Sequence, residues 1–484
     1  MAMARYNAIL CGLGDVLFTW SPPPNSTLPL NTLRRVLSSS TWFEYEKGRI
    51  SQQACYDSLG RELSISPIYV RKAIEESCAS LRCNLDLVNF LRELKDSTGE
   101  TLRIFGISNI SQPDYDALRS IADNMDWSIF DGIFTSFAAR TRKPELKFYR
   151  YALSQANLEP SRTIFIDDKL ENVLSARSQG VHGIVYREPK ELKQSLLSLF
   201  GDPVQRGQNF LKENAGHFVS MCGGIAIQEN FAQLLILEMT NDRSLVESDI
   251  VQKEGKWNFF RGNSQLTTDE FPCDLDTTSL GLTVVQARMK IATSIMDEML
   301  NYVNEDGIVQ TYFDHDRPRI DPVVCVNVLH LFYSYGRGSE MEQTLQWVHE
   351  VLLHRAYVEG SRYYQTAECF LFFLYRFISR CNDPVVHNRF YPLLKERILE
   401  RIGAAGDGLA LAMRLIVCHF TGVKNDIDLQ SLRASQCEDG GWDMGLIYKY
   451  GSSGLSIGNR GLTTVMAIYA IQCSLADSSL SENE

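Results

Sequence analysis

The sequence predicts a two-domain protein in which an α/β domain with a parallel sheet precedes an all-α domain. In residues 1–205, short apolar runs alternate with helical patterns at the period of parallel βαβ units. A polar stretch punctuated by glycine and proline, Gly201–Gly207, then marks a domain boundary. Beyond it the alternation stops and long helical patterns take over, so residues 206–484 are expected to form a helical barrel or paired helices.

Composition and charge exclude several classes of function. The 484 residues carry a formal net charge of −11, whereas nucleic-acid binding requires a basic face, so nucleic acid is not an expected partner. No apolar run approaches the roughly 20 residues needed to cross a bilayer, and we expect no stable membrane insertion. The 12 cysteines lack metal-ligand spacing. This pattern indicates reduced thiols in a cytoplasmic protein and argues against a zinc site.

Five strands are expected in the first domain, and a helical stretch separates the first strand from the second. The first strand, residues 6–11, ends in a glycine loop, and the helical stretch covers about residues 30–94. The other strands are predicted at residues 101–107, 132–136, 163–166 and 183–186, with helices at 114–125, 146–156 and 170–179 between them.

Three short motifs lie near the predicted strand ends: Ser108 ends one strand, Lys143 precedes a helix, and Asp167 and Asp168 end a further strand. In order and spacing they resemble the motifs of the haloacid dehalogenase-like hydrolases. The resemblance implies a Rossmann-type parallel sheet with a helical cap over about residues 18–97. It also implies that Ser108 and Lys143 contact phosphate, and that Asp168 and Asp167 contact Mg²⁺.

The nucleophilic aspartate of that family is missing from the first strand. Gly12 stands at its position and Gly14 at the position of the general acid. Glycine cannot form an aspartyl-phosphate, so the first domain is expected to be silent toward phosphate esters. Asp15 reproduces the family's nucleophile motif in a register shifted by three residues along the chain. That shift is expected to carry its carboxylate past the strand end and away from the other motifs.

A motif in the second domain points to acid chemistry. Asp274 and Asp276 are two residues apart and are followed by Thr277-Thr278-Ser279 and an apolar helical pattern. Hydroxyl side chains at a helix start accept backbone N–H bonds. Two neighbouring carboxylates in an apolar pocket cannot both ionise cheaply, so one of them keeps its proton near neutral pH. The motif therefore predicts a Brønsted acid that needs neither metal nor cofactor.

This D-x-D-T-T-S pattern resembles the aspartate motif of class II terpene cyclases, which protonate a polyprenyl chain and let the cation close rings. The resemblance implies that Asp276 is the general acid and that Asp274 is its orienting partner. The turn Gln436–Trp442 resembles the Q-x-x-x-G-x-W turn of the same cyclases, which ties helix ends together. Helices predicted at 209–221 and 225–239 begin the expected barrel.

Charged and aromatic side chains of the second domain are candidates for contacts to a prenyl diphosphate. Aromatic faces attract cations, and guanidinium groups suit phosphate oxygens. The alternative interpretation, core packing for the tryptophans and solvated surface for the cations, stays open. The candidate substrate-binding residues are Trp257, Arg261, Arg317, Arg319, Trp442, Lys449 and Arg460.

The combination of both domains resembles the drimane-type sesquiterpene synthases over nearly the whole chain. The resemblance implies farnesyl diphosphate as substrate, closure of two rings with the diphosphate retained, and a separate phosphatase acting on the product. Two enzymatic alternatives remain: a bifunctional cyclase and phosphatase that releases a drimane alcohol, or a haloacid dehalogenase-like phosphatase with a helical appendage. A third is a non-enzymatic module that binds lipid diphosphates.

Overall fold

The computed structural model describes most of the chain, which divides into two compact units, Met1–Gly201 and Asp202–Glu484. Each unit has its own hydrophobic core. The described residues are 6–20, 26–98, 101–122, 125–247 and 255–481.

The first unit contains a five-stranded parallel sheet and a separate two-stranded antiparallel ribbon. Its strands are β1 Ala8–Gly12, β2 Phe18–Thr19, β3 Arg82–Cys83, β4 Arg103–Ser108, β5 Gly132–Thr135, β6 Thr163–Asp167 and β7 His182–Val185. The sheet has the order β5-β4-β1-β6-β7, and β2 pairs with β3. Every residue of the central strand β1 is buried, as expected for a parallel strand covered on both faces. The parallel sheet predicted from the sequence is confirmed.

Helices of the first unit cover both faces of this sheet and form a separate bundle. They are α1 Leu30–Leu37, α2 Ser40–Glu46, α3 Gln52–Leu63, α4 Pro67–Ala79, α5 Leu85–Ser97, α6 Gln112–Ile121, α7 Ser136–Ala139, α8 Leu146–Gln155, α9 Leu170–Arg177 and α10 Pro189–Phe200. Helices α1–α4 share a core of their own and form the cap. The cap is shorter than the predicted range 18–97, because Leu87, Val88 and Leu91 of α5 pack in the same core as the sheet.

The second unit is predominantly helical. Its helices are α11 Pro203–Glu213, α12 Phe231–Thr240, α13 Leu275–Val284, α14 Met289–Met299, α15 Pro322–Ser334, α16 Glu342–Leu353, α17 Ala367–Ile378, α18 Pro384–Leu399, α19 Gly408–Phe420, α20 Asp426–Ala434 and α21 Arg460–Ser481. Six of them close into a ring, in which α12, α13, α15, α17, α19 and α21 each pack against the next and α21 packs against α12. Inner helix α15 is buried without interruption from Val323 to Phe332, as expected for a helix that is apolar on all sides. Helices α11, α16, α18 and α20 pack against this ring.

A small antiparallel sheet in the second unit was not predicted. Its strands are β8 Ser220–Cys222, β9 Ile225–Ile227, β10 Leu446–Lys449 and β11 Ser456–Gly458, in the order β10-β11-β8-β9. The helices predicted at 209–221 and 225–239 are therefore shorter, since α11 ends at Glu213 and α12 begins at Phe231. Gly223 and Gly224, with φ of 54° and 87°, form the turn between β8 and β9. Glycine adopts this left-handed conformation without steric cost.

The turn Gln436–Trp442 ties helix ends together, as the resemblance implied. The Gln436 side-chain amide donates to the carbonyl oxygens of Pro203 and Gly440, both at 2.8 Å. The Trp442 indole N–H donates to the Leu432 carbonyl oxygen at 2.7 Å. These bonds connect the start of α11, the end of α20 and the segment that leads into α21.

All 12 cysteines are free thiols. In the described ranges, no helix combines the length and the apolar character that spanning a bilayer would require.

Candidate active site

The D-x-D motif lies at the start of the inner helix α13. Asp274 is the N-cap residue, and its carboxylate accepts the backbone N–H of Thr277 at 2.5 Å. Asp276 lies in the first turn of the helix. The two residues are only 2% and 1% exposed. Because burial removes the hydration of a carboxylate, both sites favour the protonated form.

Two hydrogen bonds hold the Asp276 carboxyl group. The Nδ2 amide of Asn327, on α15, donates to Oδ1 at 2.7 Å, and the hydroxyl of Tyr364 donates to Oδ2 at 2.6 Å. Burial and the adjacent Asp274 carboxylate raise the pKa of Asp276 to about 8. Burial also raises the pKa of Asp274 to about 7. Both effects favour the protonated form of the Asp276 carboxyl group near neutral pH.

Asp274 affects Asp276 through its charge and through the helix it caps. Within the described part of the chain, no hydrogen bond joins the two carboxyl groups, and the Asp274 Oδ2 atom is buried without a hydrogen-bond partner. The orienting contacts predicted for Asp274 are instead made by Asn327 and Tyr364. Sequence reasoning missed both, although the lone amide in the apolar stretch Val323–Phe332 is a detectable signal.

Aromatic rings enclose the hydroxyl donor to Asp276. The Tyr364 ring lies 6.1 Å from Phe231, 5.5 Å from Phe373 and 5.4 Å from Tyr448, measured between centroids. Tyr448 also stacks on Phe259 at 4.7 Å. Each ring face contributes about 0.5–2 kcal/mol of attraction to a cation, more where water is absent. These rings form an aromatic cluster around the Tyr364 side chain.

A cavity of about 610 Å³ lies beside the backbone segment that carries Tyr364. It is lined by Arg362, Gln365, Lys449, Tyr450 and the loop Gly451–Gly454, and no carboxylate contributes to the lining. In the described residues, neither Arg362 nor Lys449 has an ion-pair partner. Two cations without a described carboxylate partner, beside a glycine- and serine-rich loop, are features of an anion-binding site. Lys449, which was predicted to contact a diphosphate, lines this cavity.

Backbone pairing links this cavity to the buried acid. The Lys449 N–H donates to the Tyr363 carbonyl oxygen at 2.8 Å, and the Gln365 N–H donates to the Ile447 carbonyl oxygen at 3.1 Å. The segment that carries Arg362 and Tyr364 is thus fixed against β10. Arg362 and Lys449 line the cavity, and Tyr364, two residues after Arg362, donates its hydroxyl hydrogen to Asp276.

The other predicted arginines of the charged loops have different environments. Arg319 donates to the Tyr363 hydroxyl at 3.4 Å. The Arg362 guanidinium group lies over the ring of the same tyrosine. Arg317 pairs with its neighbour Asp314 at 3.2 Å, and Arg261 pairs with Glu247 at 2.5 Å. Arg319 is thus connected through the Tyr363 side chain to Arg362, which lines the cavity.

Three further predicted contacts are engaged in packing or in the helix-tying turn. Trp257 is fully buried against α13, where a Cβ atom at Gly281 would lie only 2.6 Å from its indole ring. Trp442 and Arg460 belong to the helix-tying turn, in which Arg460 pairs with Asp439 at 2.7 Å. The prediction that Trp442 and Arg460 bind substrate is not supported, because both side chains are already engaged within that turn.

The strand ends of the first unit bring the hydrolase-like motifs together. Lys143 donates to Asp167 Oδ2 at 2.6 Å, and Asn172 donates to Asp167 Oδ1 at 2.7 Å. Burial opposes ionisation of Asp167, but the Lys143 ammonium group holds its pKa below the ordinary value. Ser108 is buried at the end of β4. A Cβ atom at Gly12 would lie 3.3 Å from Asp167 Oδ2, so the missing nucleophile would point into this site.

Asp15 lies within electrostatic range of the same site. Burial raises its pKa, with opposing effects from Lys169 and Lys143. Burial, Asp167 and also Asp15 raise the pKa of Asp168, to about 6. The expectation that Asp15 lies away from the motifs is therefore wrong. With φ of 59°, Asp15 adopts a left-handed turn at the strand end instead of extending the strand.

The strand-end carboxylates fit a divalent cation only in part. In the regions that the structure describes, no group of three or more His, Cys, Asp or Glu side chains is arranged to hold a metal ion. Both Asp167 oxygens are engaged by Lys143 and Asn172. Asp168 and Asp15 remain, and Mg²⁺ often takes one or two carboxylates together with water and phosphate oxygens.

Family models match parts of both units. The model of the sesquiterpene cyclase astC-like C-terminal domain matches residues 204–335, and that of the haloacid dehalogenase-like hydrolases matches residues 64–186. Among solved structures, the magnesium and phosphate complex of the haloacid dehalogenase family enzyme bt-2542 from Bacteroides thetaiotaomicron is 16% identical, with a TM-score of 0.31. That match covers 38% of this chain and 94% of the other.

Two fungal relatives extend these matches. The sesquiterpene phosphatase astK of Aspergillus oryzae is 35% identical over 179 residues, which cover 37% of this chain and 89% of the relative. The drimenol cyclase drtB of Aspergillus calidoustus is 43% identical over 465 residues, which cover 96% of this chain and 87% of the relative. At this identity over nearly the full length of both proteins, the chain belongs to the drimane-type sesquiterpene synthases, terpene cyclases that carry a haloacid dehalogenase-like domain.

Proposed function

We propose that this terpene cyclase converts farnesyl diphosphate to a bicyclic drimane-type diphosphate by class II, protonation-initiated cyclisation. The observation that carries the proposal is the buried Asp276 carboxyl group, which two side chains hold and which keeps its proton near neutral pH. The name of the drimenol cyclase relative supports a drimane product. The aromatic surround of Tyr364 supports a cationic intermediate.

The reaction begins with proton transfer from Asp276 to the distal double bond of the prenyl chain. The electron pair of that double bond forms the new C–H bond, and the O–H pair stays on the carboxylate. The next two double bonds then attack in turn and close two rings. Loss of a proton to a base forms the final double bond. Asn327 and Tyr364 donate to both oxygens of the new carboxylate and stabilise it.

The diphosphate is proposed to bind in the cavity that Arg362 and Lys449 line, with Arg319 nearby. Cyclisation breaks no bond to the diphosphate, so these cations act by binding and orientation. We expect Lys449→Met to raise KM for farnesyl diphosphate about tenfold with little change in kcat, since a charge-assisted hydrogen bond contributes about 1.5 kcal/mol. Steady-state kinetics measures this. Lys424→Met is the matched control, because Lys424 is an exposed lysine paired with Asp426; an equal KM in both variants would remove Lys449 from the site.

The rate of cyclisation is expected to depend on pH through Asp276. Only the protonated acid reacts, so kcat should be constant at lower pH and fall as pH rises through about 8. The hydrogen bond from Tyr364 lowers the pKa of Asp276, so Tyr364→Phe should move the falling limb to higher pH while lowering kcat. The pH profile of kcat under saturating substrate measures both effects. A limb that falls toward acid pH would contradict the assignment of Asp276 as the acid.

We further propose that the first domain leaves the diphosphate in place and that a separate phosphatase removes it. Gly12 supports this proposal, because it offers no nucleophile beside Lys143 and Asp167. The second candidate is a bifunctional enzyme that releases a drimane alcohol. It is favoured by the position of Asp15 near Asp168, and by the relative's name, because drimenol is an alcohol. Asp168 and Asp15 would hold Mg²⁺, whose charge would offset that of the phosphate oxygens.

Product analysis separates these two functions and tests cyclisation itself. The purified protein is incubated with farnesyl diphosphate and Mg²⁺, and products are identified by mass spectrometry before and after added phosphatase. We expect a drimane-type diphosphate before treatment and the corresponding drimane alcohol only after phosphatase treatment. Free alcohol before treatment, lost in Asp15→Asn, would establish the bifunctional enzyme. Absence of any cyclic product would refute the proposed function, and hydrolysis of a generic phosphate ester that Asp168→Ala blocks would favour a phosphatase.

A further inference from the structure

We infer that Arg376 is a positioning residue for the acid: it fixes the Asn327 amide with its N–H toward Asp276 Oδ1, which places the transferable proton on Oδ2 beside Tyr364. The inference rests on the proposed role of Asp276 in cyclisation. It adds a residue that does not touch substrate, and it identifies the oxygen that carries the proton.

Arg376 lies on α17 and reaches three acceptors from a buried position. Its Nη1 donates to Asn327 Oδ1 at 3.0 Å, its Nη2 donates to Thr283 Oγ1 at 3.0 Å, and its Nε donates to Glu238 Oε2 at 2.6 Å. The side chain is only 4% exposed. The acceptors lie on α15, α13 and α12, so four of the inner helices meet at this guanidinium group.

The chemistry of arginine decides which way the Asn327 amide faces. An amide carbonyl and an amide NH₂ group are nearly equal in shape, so packing alone does not distinguish them. Arginine has donors and no acceptor, and the atom that faces it must therefore be the Asn327 carbonyl oxygen. The NH₂ group then points to Asp276 Oδ1, at 2.7 Å. Reversing the amide would place two donors against each other at Arg376.

This orientation assigns the proton within the Asp276 carboxyl group. Oδ1 accepts the Asn327 N–H and acts as the carbonyl-type oxygen. The Asn327 NH₂ group can only donate, whereas the Tyr364 hydroxyl, 2.6 Å from Oδ2, can donate or accept and so tolerates a hydrogen on that oxygen. We therefore assign the acidic hydrogen to Oδ2. After transfer to the alkene, both hydrogen bonds persist and now reach an ionised group, where they are stronger. The carboxylate is stabilised without any rearrangement of its partners.

Glu238 balances the charge of Arg376. Its Oε2 accepts from Arg376, its Oε1 accepts from Arg380, and its side chain is 4% exposed. A lone buried guanidinium charge near the acid would oppose a developing carbocation. With Glu238 paired to it, Arg376 orients Asn327 while adding little net positive charge close to the reacting chain.

Two double variants isolate the orienting bond from the charges. Glu238→Gln with Arg376→Gln removes both charges and keeps a side-chain N–H donor, whereas Glu238→Gln with Arg376→Met removes the charges and the donor. We expect the first double variant to keep kcat within about threefold of the wild type. The second should lose at least about tenfold in kcat, which corresponds to the free energy of one hydrogen bond, with KM unchanged. Equal kcat in the two folded variants would overturn the inference.

Asn327→Asp provides an independent test of the amide direction. The new carboxylate would accept from Arg376 but would have no N–H for Asp276, so kcat should fall by about 100-fold with KM unchanged. If the native carbonyl oxygen faced Asp276 instead, this variant would preserve that oxygen and kcat would not change, which would overturn the inference. A wild-type protein that forms no cyclic product would instead refute the proposed function, so the two failures are distinguishable.

Discussion

We expect Asp276→Asn to abolish cyclisation, with kcat reduced by about 10³-fold, within the range that general acids contribute. The amide has nearly the shape of the carboxyl group and can still accept from Asn327, but it has no proton to transfer. KM for farnesyl diphosphate should remain unchanged, because the proposed cation contacts lie at the cavity around Lys449. Product quantification by mass spectrometry, with a thermal melt to verify folding, measures the effect.

The matched control for this prediction is Asp274→Asn. Asparagine caps helices as well as aspartate does, so α13 should keep its first turn. The loss of the neighbouring charge should move the falling limb of the pH profile to lower pH, because Asp274 raises the pKa of Asp276. Cyclisation retained in Asp276→Asn and lost only in Asp274→Asn would exchange the roles of the two aspartates.

Arg414→Met should destabilise the second unit by about 3–5 kcal/mol, the cost of breaking a buried ion pair from one side. Arg414, on α19, is fully buried and donates to Glu368 at 2.9 Å and to Asp428 at 3.0 Å. Without it two buried carboxylates lose their shared partner, although Arg401 still pairs with Glu368 at 2.8 Å. We expect the melting temperature to fall on the order of 10 °C. Calorimetry of the full chain measures the change.

Arg355→Met is the comparison variant for this effect. Arg355 pairs with Glu400 at 2.6 Å, but both side chains are exposed, at 44% and 39%. Exposed ion pairs contribute about 0–1 kcal/mol, so this change should lower the melting temperature by no more than a few degrees. Equal losses in the two variants would show that burial of the Arg414 network does not determine its contribution.

The fold was largely predictable because its elements are long or strongly patterned. The alternating apolar runs of the first unit indicated β1, β4 and β6, and the helical periodicity of the second unit indicated its inner helices. Strands β8 and β9 were missed because each has three residues inside an apolar stretch that also fits a helix. Only the Gly223-Gly224 turn separates them, and its two positive φ angles are set by pairing in the folded sheet.

The candidate acid was predictable from local spacing, whereas its partners were not. Asp274 and Asp276 stand together in the sequence, but Asn327 and Tyr364 lie 51 and 88 positions from Asp276. Ring closure brings these side chains together, and no local pattern encodes that proximity. The reverse error occurred at Arg460, whose charge suggested phosphate binding. Its partner Asp439 lies 21 positions away, across a turn whose geometry the sequence does not reveal.

The first and last helices of the ring, α12 and α21, pack against each other and close it. Because α21 is the last ring helix along the chain, we expect a polypeptide that lacks it to leave the ring open and Asp276 accessible to water. Water competes there for the carboxyl group and would quench any cation. A polypeptide shortened before α21 is thus expected to contain the D-x-D motif yet make no terpene. Activity would then require a helix that contributes no residue to the proposed proton transfer.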